Sequence, residues 1–212
     1  MTDAVTDPIA EAAEALARGE LVVFPTDTVY GLAARPDDAA ATQRLFAVKG
    51  RSHDLPLPIL AGSLAAAHVV AQFDERAELL AAAWPGPITL VLPRAADTLG
   101  WSLGGDGRTV AVRIPKHPLA LALLARSGPL AVTSANRSGA PPLEDAEALA
   151  AVFDEEVAVY LCQDGPLAGA ASTVVDLMAA EPRILRTGAL SAADIARFLA
   201  GEGPLLDSRP SP

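Results

Sequence analysis

Short strand-like runs alternate with helix-like runs along most of this chain, and the alternation breaks twice. "ELVVFP" and "VYGLAA" follow one another between residues 20 and 34, and "VAVYLC", "STVVDL" and "RILR" do so between 156 and 186. Strict alternation builds a parallel sheet, whereas neighbouring strands with no helix between them bring antiparallel pairs into it. The pattern predicts an α/β fold: one twisted, mixed β-sheet flanked by helices, in one domain. "ITLVLP", "TVAVRIP" and "PLAVTSAN" supply further strands, and "PLPILAG" a short one.

The helices carry their own punctuation. Asp7 and Pro8 open the first, Ile9, Ala12, Ala13 and Leu16 share a face, and Gly19 closes it. A second runs from Asp38 to Val48 and stops at Gly50. Helices are also read over Ser63 to Gln72, Glu75 to Ala83, "KHPLALALLARSG", "LEDAEALAAVF" and, from a cap at Ser191, "SAADIARFLAG". "GLAARPDDAA" and "RAADTLGWSLGGDGRT" are read as surface loops, "WPGP" as a rigid turn, and 204–212 as a mobile tail.

Composition removes several classes of function. A formal charge of −10 opposes nonspecific attraction to nucleic acid over the whole surface. No apolar run approaches the ~18 residues that span a bilayer, and the first twenty residues lack the basic start and apolar middle of a signal peptide. Cys162 stands alone in the sequence and is read as a buried core thiol. The expectation is a cytoplasmic protein. There is no phosphate loop, dinucleotide fingerprint or nucleophile elbow, and His53, His68 and His117 have no metal spacing.

What remains is a set of polar residues where strands or helices end: Thr28; Lys49 and Arg51; Thr109 and Arg113; Thr133, Ser134 and Asn136; Ser172 and Thr173; Arg186. Each has a plain structural reading. Thr28 suits a strand for its β-branch, Lys49 and Arg51 suit a helix C-terminus, and Arg186 suits a sheet edge. Arg113, in an otherwise apolar strand, demands an anionic partner. Together they bring four cations and several hydroxyls to strand ends, where open sheets bind ligands. An anionic, hydroxyl-bearing ligand such as a nucleotide fits them.

"FPTDTVYGLAA", "KGRS", "WPGPITLVL", "TVAVRIPKHP", "TSANRSGAPP" and "ASTVVDL" followed by "RILRTG" resemble the YrdC family of threonylcarbamoyl-AMP synthases. The resemblance runs from about Ala10 to Phe198 and implies a YrdC-like domain over 1–203 with a concave, locally basic cleft. It implies that L-threonine, bicarbonate and ATP give threonylcarbamoyl-AMP and pyrophosphate. A separate transferase complex then uses the product to modify tRNA. Carried over by position, Lys49 and Arg51 are the catalytic cations at the nucleotide. Thr109, Ser134, Asn136 and Arg186 join them on ATP. Thr28, Arg113, Val132 (through its backbone) and Ser172 contact threonine. Mg²⁺ is expected on the phosphates, with direct tRNA binding weak or absent. Leu55, Leu60 and Pro142 stand where members of the family carry polar side chains, and Thr187 where a proline is more usual. No carboxylate or histidine of the motifs is read as a general base, so positioning and charge neutralisation carry the expected catalysis. The rival readings are an RNA-binding module without chemistry and a carbamoyl-transfer domain.

Overall fold

The computed structural model describes residues 7–163, 165, 167 and 169–203. The tail at 204–212 lies outside them. In chain order the elements are α1 (Pro8–Ala17), β1 (Val22–Phe24), β2 (Gly31–Ala34), α2 (Ala39–Lys49), β3 (Ile59–Leu60), α3 (Leu64–Val70) and α4 (Glu75–Ala81). Then come β4 (Ile88–Pro93), β5 (Thr109–Arg113), α5 (Pro118–Ser127), β6 (Leu130–Ser134), α6 (Ala146–Phe153), β7 (Val159–Tyr160), β8 (Thr173–Asp176), β9 (Arg183–Arg186) and α7 (Ala192–Leu199). Among the described residues nine strands form one mixed sheet in the order β7-β1-β2-β6-β3-β5-β4-β8-β9. The breaks in alternation become the antiparallel pairs β1–β2 and β8–β9, while β7–β1, β3–β5 and β4–β8 are parallel.

The helix ends obey their punctuation. The side chains of Asp7, Asp38, Ser63, Asp74 and Asp145 accept backbone N–H groups at five N-termini. Ser191 and Asp194 close a reciprocal capping box on α7. Gly50 ends α2 in the left-handed conformation, at φ 66°, which lets the chain turn sharply after Lys49.

Side-chain alternation divides the sheet into two unequally covered faces. On one, Val23, Leu32, Ala131, Ile59, Val112, Leu90 and Val175 pack under residues from α2, α3, α4, α6 and α7. On the other, Val22, Phe24, Ala33, Val132, Leu130 and Leu60 pack under α1 and α5, which lie side by side. That second cover stops short. Along β5 and β4 the residues facing that side, Thr109, Ala111, Val91 and Pro93, are partly exposed, and all of β9 is exposed. The sheet is therefore roofed over half of one face and open over the other half.

Three expectations need correction. Of the two overlapping readings of Gly31–Ala34, strand and surface loop, the strand holds: it is the fully buried β2, and only Arg35 to Asp38 turns at the surface. The 94–108 segment is also less superficial than its glycines imply. Arg94 is buried, and its guanidinium donates to the carbonyls of Thr98 and Trp101, so a cation ties the loop down from inside. Cys162 is only partly buried at the edge of the core. Burial raises its pKa, consistent with an unreactive thiol.

Candidate active site

Strand register puts the polar residues together. Gly31 pairs with Ser134, and Ala33 with Val132. Leu60 pairs with Arg113, Thr89 with Val174, and Val174 with Arg186. Paired residues project to the same face. The row Gly31, Ser134, Val132, Leu60, Arg113, Thr89, Val174, Arg186 thus lies on one side of the sheet, where the roof of α1 and α5 ends. A cleft of about 370 Å³ opens over it. Of the ten residues expected from sequence, Thr28, Arg51, Arg113, Val132, Ser134, Ser172 and Arg186 line it. Thr109 sits farther out on the same face of β5, opposite Pro93.

Lys49 and Asn136 lie behind the wall. Lys49 is 4% exposed. Its ammonium donates to the Ser134 carbonyl at 2.6 Å, Ser134 Oγ at 3.1 Å and Asn136 Oδ1 at 2.5 Å. Ser134 Oγ also donates to Asn136 Oδ1 at 2.6 Å, and the Ser138 N–H returns to the Lys49 carbonyl at 2.8 Å. The end of α2 and the turn after β6 are one hydrogen-bonded unit. Among the described residues no carboxylate joins it, and burial, then the charge of Arg51, pull the Lys49 pKa down to about 8. Arg51 is partly exposed and folds back on its own loop, donating to the carbonyls of Leu55 at 2.9 Å and Pro56 at 3.0 Å. Leu55 itself points outward, at 55% exposed, while Leu60 and Pro142 make apolar wall where polar side chains were the pattern.

The opposite side of the cleft is built on Arg113, 6% exposed. Its Nη2 pairs with Asp27 at 2.5 Å, Nη1 donates to Thr28 Oγ1 at 2.9 Å, and Nε donates to the Gly86 carbonyl at 3.0 Å. Burial works against its charge, Asp27 supports it, and Arg186 opposes it again. The anionic partner demanded by a buried guanidinium is thus a residue of the first motif. The sequence reading gave that motif no working carboxylate and passed Asp27 over. Its spacing was a visible signal: an acid between two threonines, just after a buried strand. Three N–H groups of Arg113 are used in these bonds, which leaves one on each terminal nitrogen for a ligand carboxylate.

Ser172 completes this side. Its hydroxyl lies 2.9 Å from Thr89 Oγ1 and accepts from Arg186 Nη2 at 3.0 Å. Arg186 also donates through Nε and Nη2 to the Ser172 carbonyl, at 3.1 and 2.9 Å. It is thereby both an edge-strand cation and a brace for Ser172. Gly169 passes so close to the Thr28 loop that a Cβ there would lie 1.8 Å from the Asp27 carbonyl oxygen, a backbone approach only glycine permits. Thr89 and Thr26, also at the cleft, were given no ligand role from sequence.

Among the described residues the cleft's lining contains no aspartate or glutamate, and no cluster of His, Cys, Asp and Glu among them could hold a metal ion. Among the described residues, no helix is long and apolar enough to cross a membrane.

A family profile described as telomere recombination, that of the Sua5/YciO/YrdC proteins, matches residues 14–188. A Mycobacterium tuberculosis protein is 44% identical over 193 residues, 90% of this chain and 88% of its own. The threonylcarbamoyl-AMP synthase of Chromohalobacter salexigens is 41% identical over 82% of this chain and 95% of its own. The structure of Pyrococcus abyssi Sua5 complexed with L-threonine superposes with a TM-score of 0.81 at 39% identity, covering 92% of this chain and 57% of that one. A profile that spans most of the chain and relatives matched over nearly their full length settle the kinship: the chain belongs to the Sua5/YciO/YrdC family.

Proposed function

We propose that this protein is an L-threonylcarbamoyladenylate synthase, an AMP-transferring enzyme that makes threonylcarbamoyl-AMP and pyrophosphate from L-threonine, bicarbonate and ATP. The observation that carries the reading is the meeting, across one sheet face, of a guanidinium–hydroxyl corner (Arg113, Thr28, Ser172) with a cationic corner (Arg51, and Lys49 behind Ser134). The first corner suits an amino acid with a hydroxyl side chain; the second suits a polyphosphate.

The chemistry follows from that division. Bicarbonate and the threonine amine form a carbamate with loss of water, and a carbamate oxygen attacks the α-phosphorus as pyrophosphate leaves. Nucleophile and electrophile both carry negative charge, so cations already in place lower the barrier most. Arg51 and Arg186, both on the cleft wall, serve the phosphates. Arg113 holds the threonine carboxylate, and Thr28 and Ser172 hold its hydroxyl. Thr109, Val132 and Ser134 complete the nucleotide and amino-acid contacts, and Asn136 supports Ser134 from behind the wall. The described lining residues include no carboxylate to cage Mg²⁺; the ion would enter on the phosphates, and no step is assigned to it. The product goes to a separate tRNA-modifying transferase, which asks no RNA-binding surface of a chain with net charge −10.

The test is pyrophosphate release from ATP with threonine and bicarbonate each omitted in turn. Turnover that needs both supports the proposal. Turnover indifferent to threonine, or submicromolar tRNA affinity with a steep salt dependence and no turnover, refutes it.

A further inference from the structure

In the proposed reaction Arg51 serves the phosphates, yet the segment that aims it has no regular structure of its own. The run 51–58 is turn and coil, and residues 52–55 are exposed. Arg51 donates through Nε to the Leu55 carbonyl at 2.9 Å and through Nη2 to the Pro56 carbonyl at 3.0 Å. Those bonds use two of its five N–H groups and leave three for a ligand. The direction of the guanidinium is thus set by where the carbonyls of Leu55 and Pro56 stand.

Two rungs from a distant loop bracket those carbonyls. The Gly105 N–H donates to the His53 carbonyl, and the Leu57 N–H donates to the Leu103 carbonyl, both at 2.8 Å. Between the rungs Pro56 sits against Gly105: a Cβ there would meet Pro56 Cβ at 3.2 Å and its Cγ and Cδ at 3.3 Å. The His53 ring stacks on Phe46 of α2, with centroids 4.0 Å apart. A Cβ on Gly104 would strike the same place, 2.5 Å from the His53 carbonyl oxygen and 2.9 Å from Phe46 Cζ. The base of this clamp is itself fixed. Leu57 and Leu103 are buried, and the buried Arg94 holds the carbonyls of Thr98 and Trp101 just before Leu103.

We propose that Leu103, Gly104 and Gly105 are positioning residues: they clamp the 53–57 segment so that its carbonyls aim the Arg51 guanidinium into the cleft. None of the three lines the cleft; they act on the nucleotide through Arg51. This rests on the reading of Arg51 as a phosphate cation and deepens it. A shift of a few tenths of an ångström at Pro56 passes directly to Nη2, and a preorganised donor loses effect when it is misplaced.

The loop carries its own control. Gly105 and Gly107 are both left-handed, at φ 66° and 73°, so alanine strains the backbone similarly at either. At 105 the added Cβ presses on Pro56, whereas at 107 it meets nothing within 4 Å. The experiment measures equilibrium binding of ATP and of L-threonine to the wild type, G105A, G107A, R51A and the double variant R51A/G105A. The expected result is an ATP affinity about fivefold weaker in G105A and unchanged in G107A, with threonine affinity unchanged in both. Once Arg51 is gone, G105A should add no further loss. A merely structural glycine would weaken both ligands, as much without Arg51 as with it. If R51A binds ATP as well as the wild type does, the reading of Arg51 falls and this inference with it. If R51A binds ATP more weakly but G105A matches the wild type, or weakens ATP equally in the R51A background, the inference alone is overturned. An equal loss in G107A overturns it too. Should G105A not fold, H53A decides by the same cycle, since it removes an exposed ring and its stack on Phe46. Its ATP loss must appear with Arg51 present and vanish without it; any other result refutes the inference.

Discussion

Lys49 makes a pH signature that is unusual in its sign. The ammonium is buried, gives three bonds to neutral oxygens and meets no carboxylate, so its pKa falls from 10.5 to about 8. Only the charged form has three N–H groups; the neutral amine keeps two and must drop a bond to Ser134 or Asn136. The turn that meets the nucleotide should loosen as the proton leaves. With the pKa at about 8, about one tenth of the protein carries the charge at pH 9, against nearly all of it for an unshifted lysine. ATP affinity should therefore drop about tenfold per pH unit above 8, while the phosphates, already fully ionised, contribute nothing to the slope. Stability should move the opposite way. The unfolded chain holds the Lys49 proton to about 10.5 and the folded chain loses it near 8, so between those limits the unfolded state binds more protons and stability rises with pH, by up to about 1.4 kcal/mol per unit. The assay is a pair of curves from pH 7 to 9.5, ATP binding and denaturant midpoint, each compared with K49R, whose guanidinium keeps its charge throughout. Opposed slopes in wild type that both flatten in K49R are the expected result. ATP binding that stays level to pH 9.5 would refute the reasoning.

Other perturbations test separate parts of the cleft. Arg51→Ala should cut adenylate formation by about a hundredfold or more with an unchanged melting curve, since the side chain bonds only carbonyls of its own loop; steady-state pyrophosphate release reads it. Gly169→Ala should destabilise by about 1–3 kcal/mol and raise the KM for threonine, because its Cβ would force the Asp27 carbonyl away; unaltered melting and KM would show that the two loops yield freely. Among amino acids the order of use should be threonine, then serine, then valine, with Ser172→Ala narrowing the gap between threonine and valine. Equal use of serine and valine by the wild type would remove the hydroxyl-reading role of Thr28 and Ser172.

Most of the elements were legible because their signals are local. Asp, Ser, Pro and Gly mark helix ends through bonds made within three or four residues, and those marks hold at α1, α2 and α7. What failed were judgements that depend on a distant neighbour. "GLAA" has the small side chains of a loop, yet it is buried because β2 lies between β1 and β6 and needs to be thin there. A Cβ on Gly31 would stand 2.7 Å from Val132 Cγ1. Arg94 reads as a surface charge until the loop after it is seen to wrap its carbonyls around it.

The site was legible as a list of residues and illegible as a division of labour. Lys49 and Arg51 look alike in "KGRS", yet α2 ends between them, so one ammonium turns inward to the Ser134–Asn136 turn and the other guanidinium stays at the cleft. Asp27 was passed over for the converse reason. Its neighbours in sequence are hydroxyls, and its charge has meaning only beside Arg113, 86 positions away. Sheet order explains why such a pairing arises. β3 lies between β6 and β5, so Leu60 sets the Ser134 end of the cleft apart from Arg113, and β4 sets Arg113 apart from Ser172. The functional side chains come from several strand and helix ends, and the partners Lys49 and Ser134, Thr28 and Arg113, and Asp27 and Arg113 each lie more than 80 positions apart. A local reading can name the residues that converge; it cannot say which of two neighbouring cations touches the ligand and which only supports the wall, because burial is decided by strands far away in sequence.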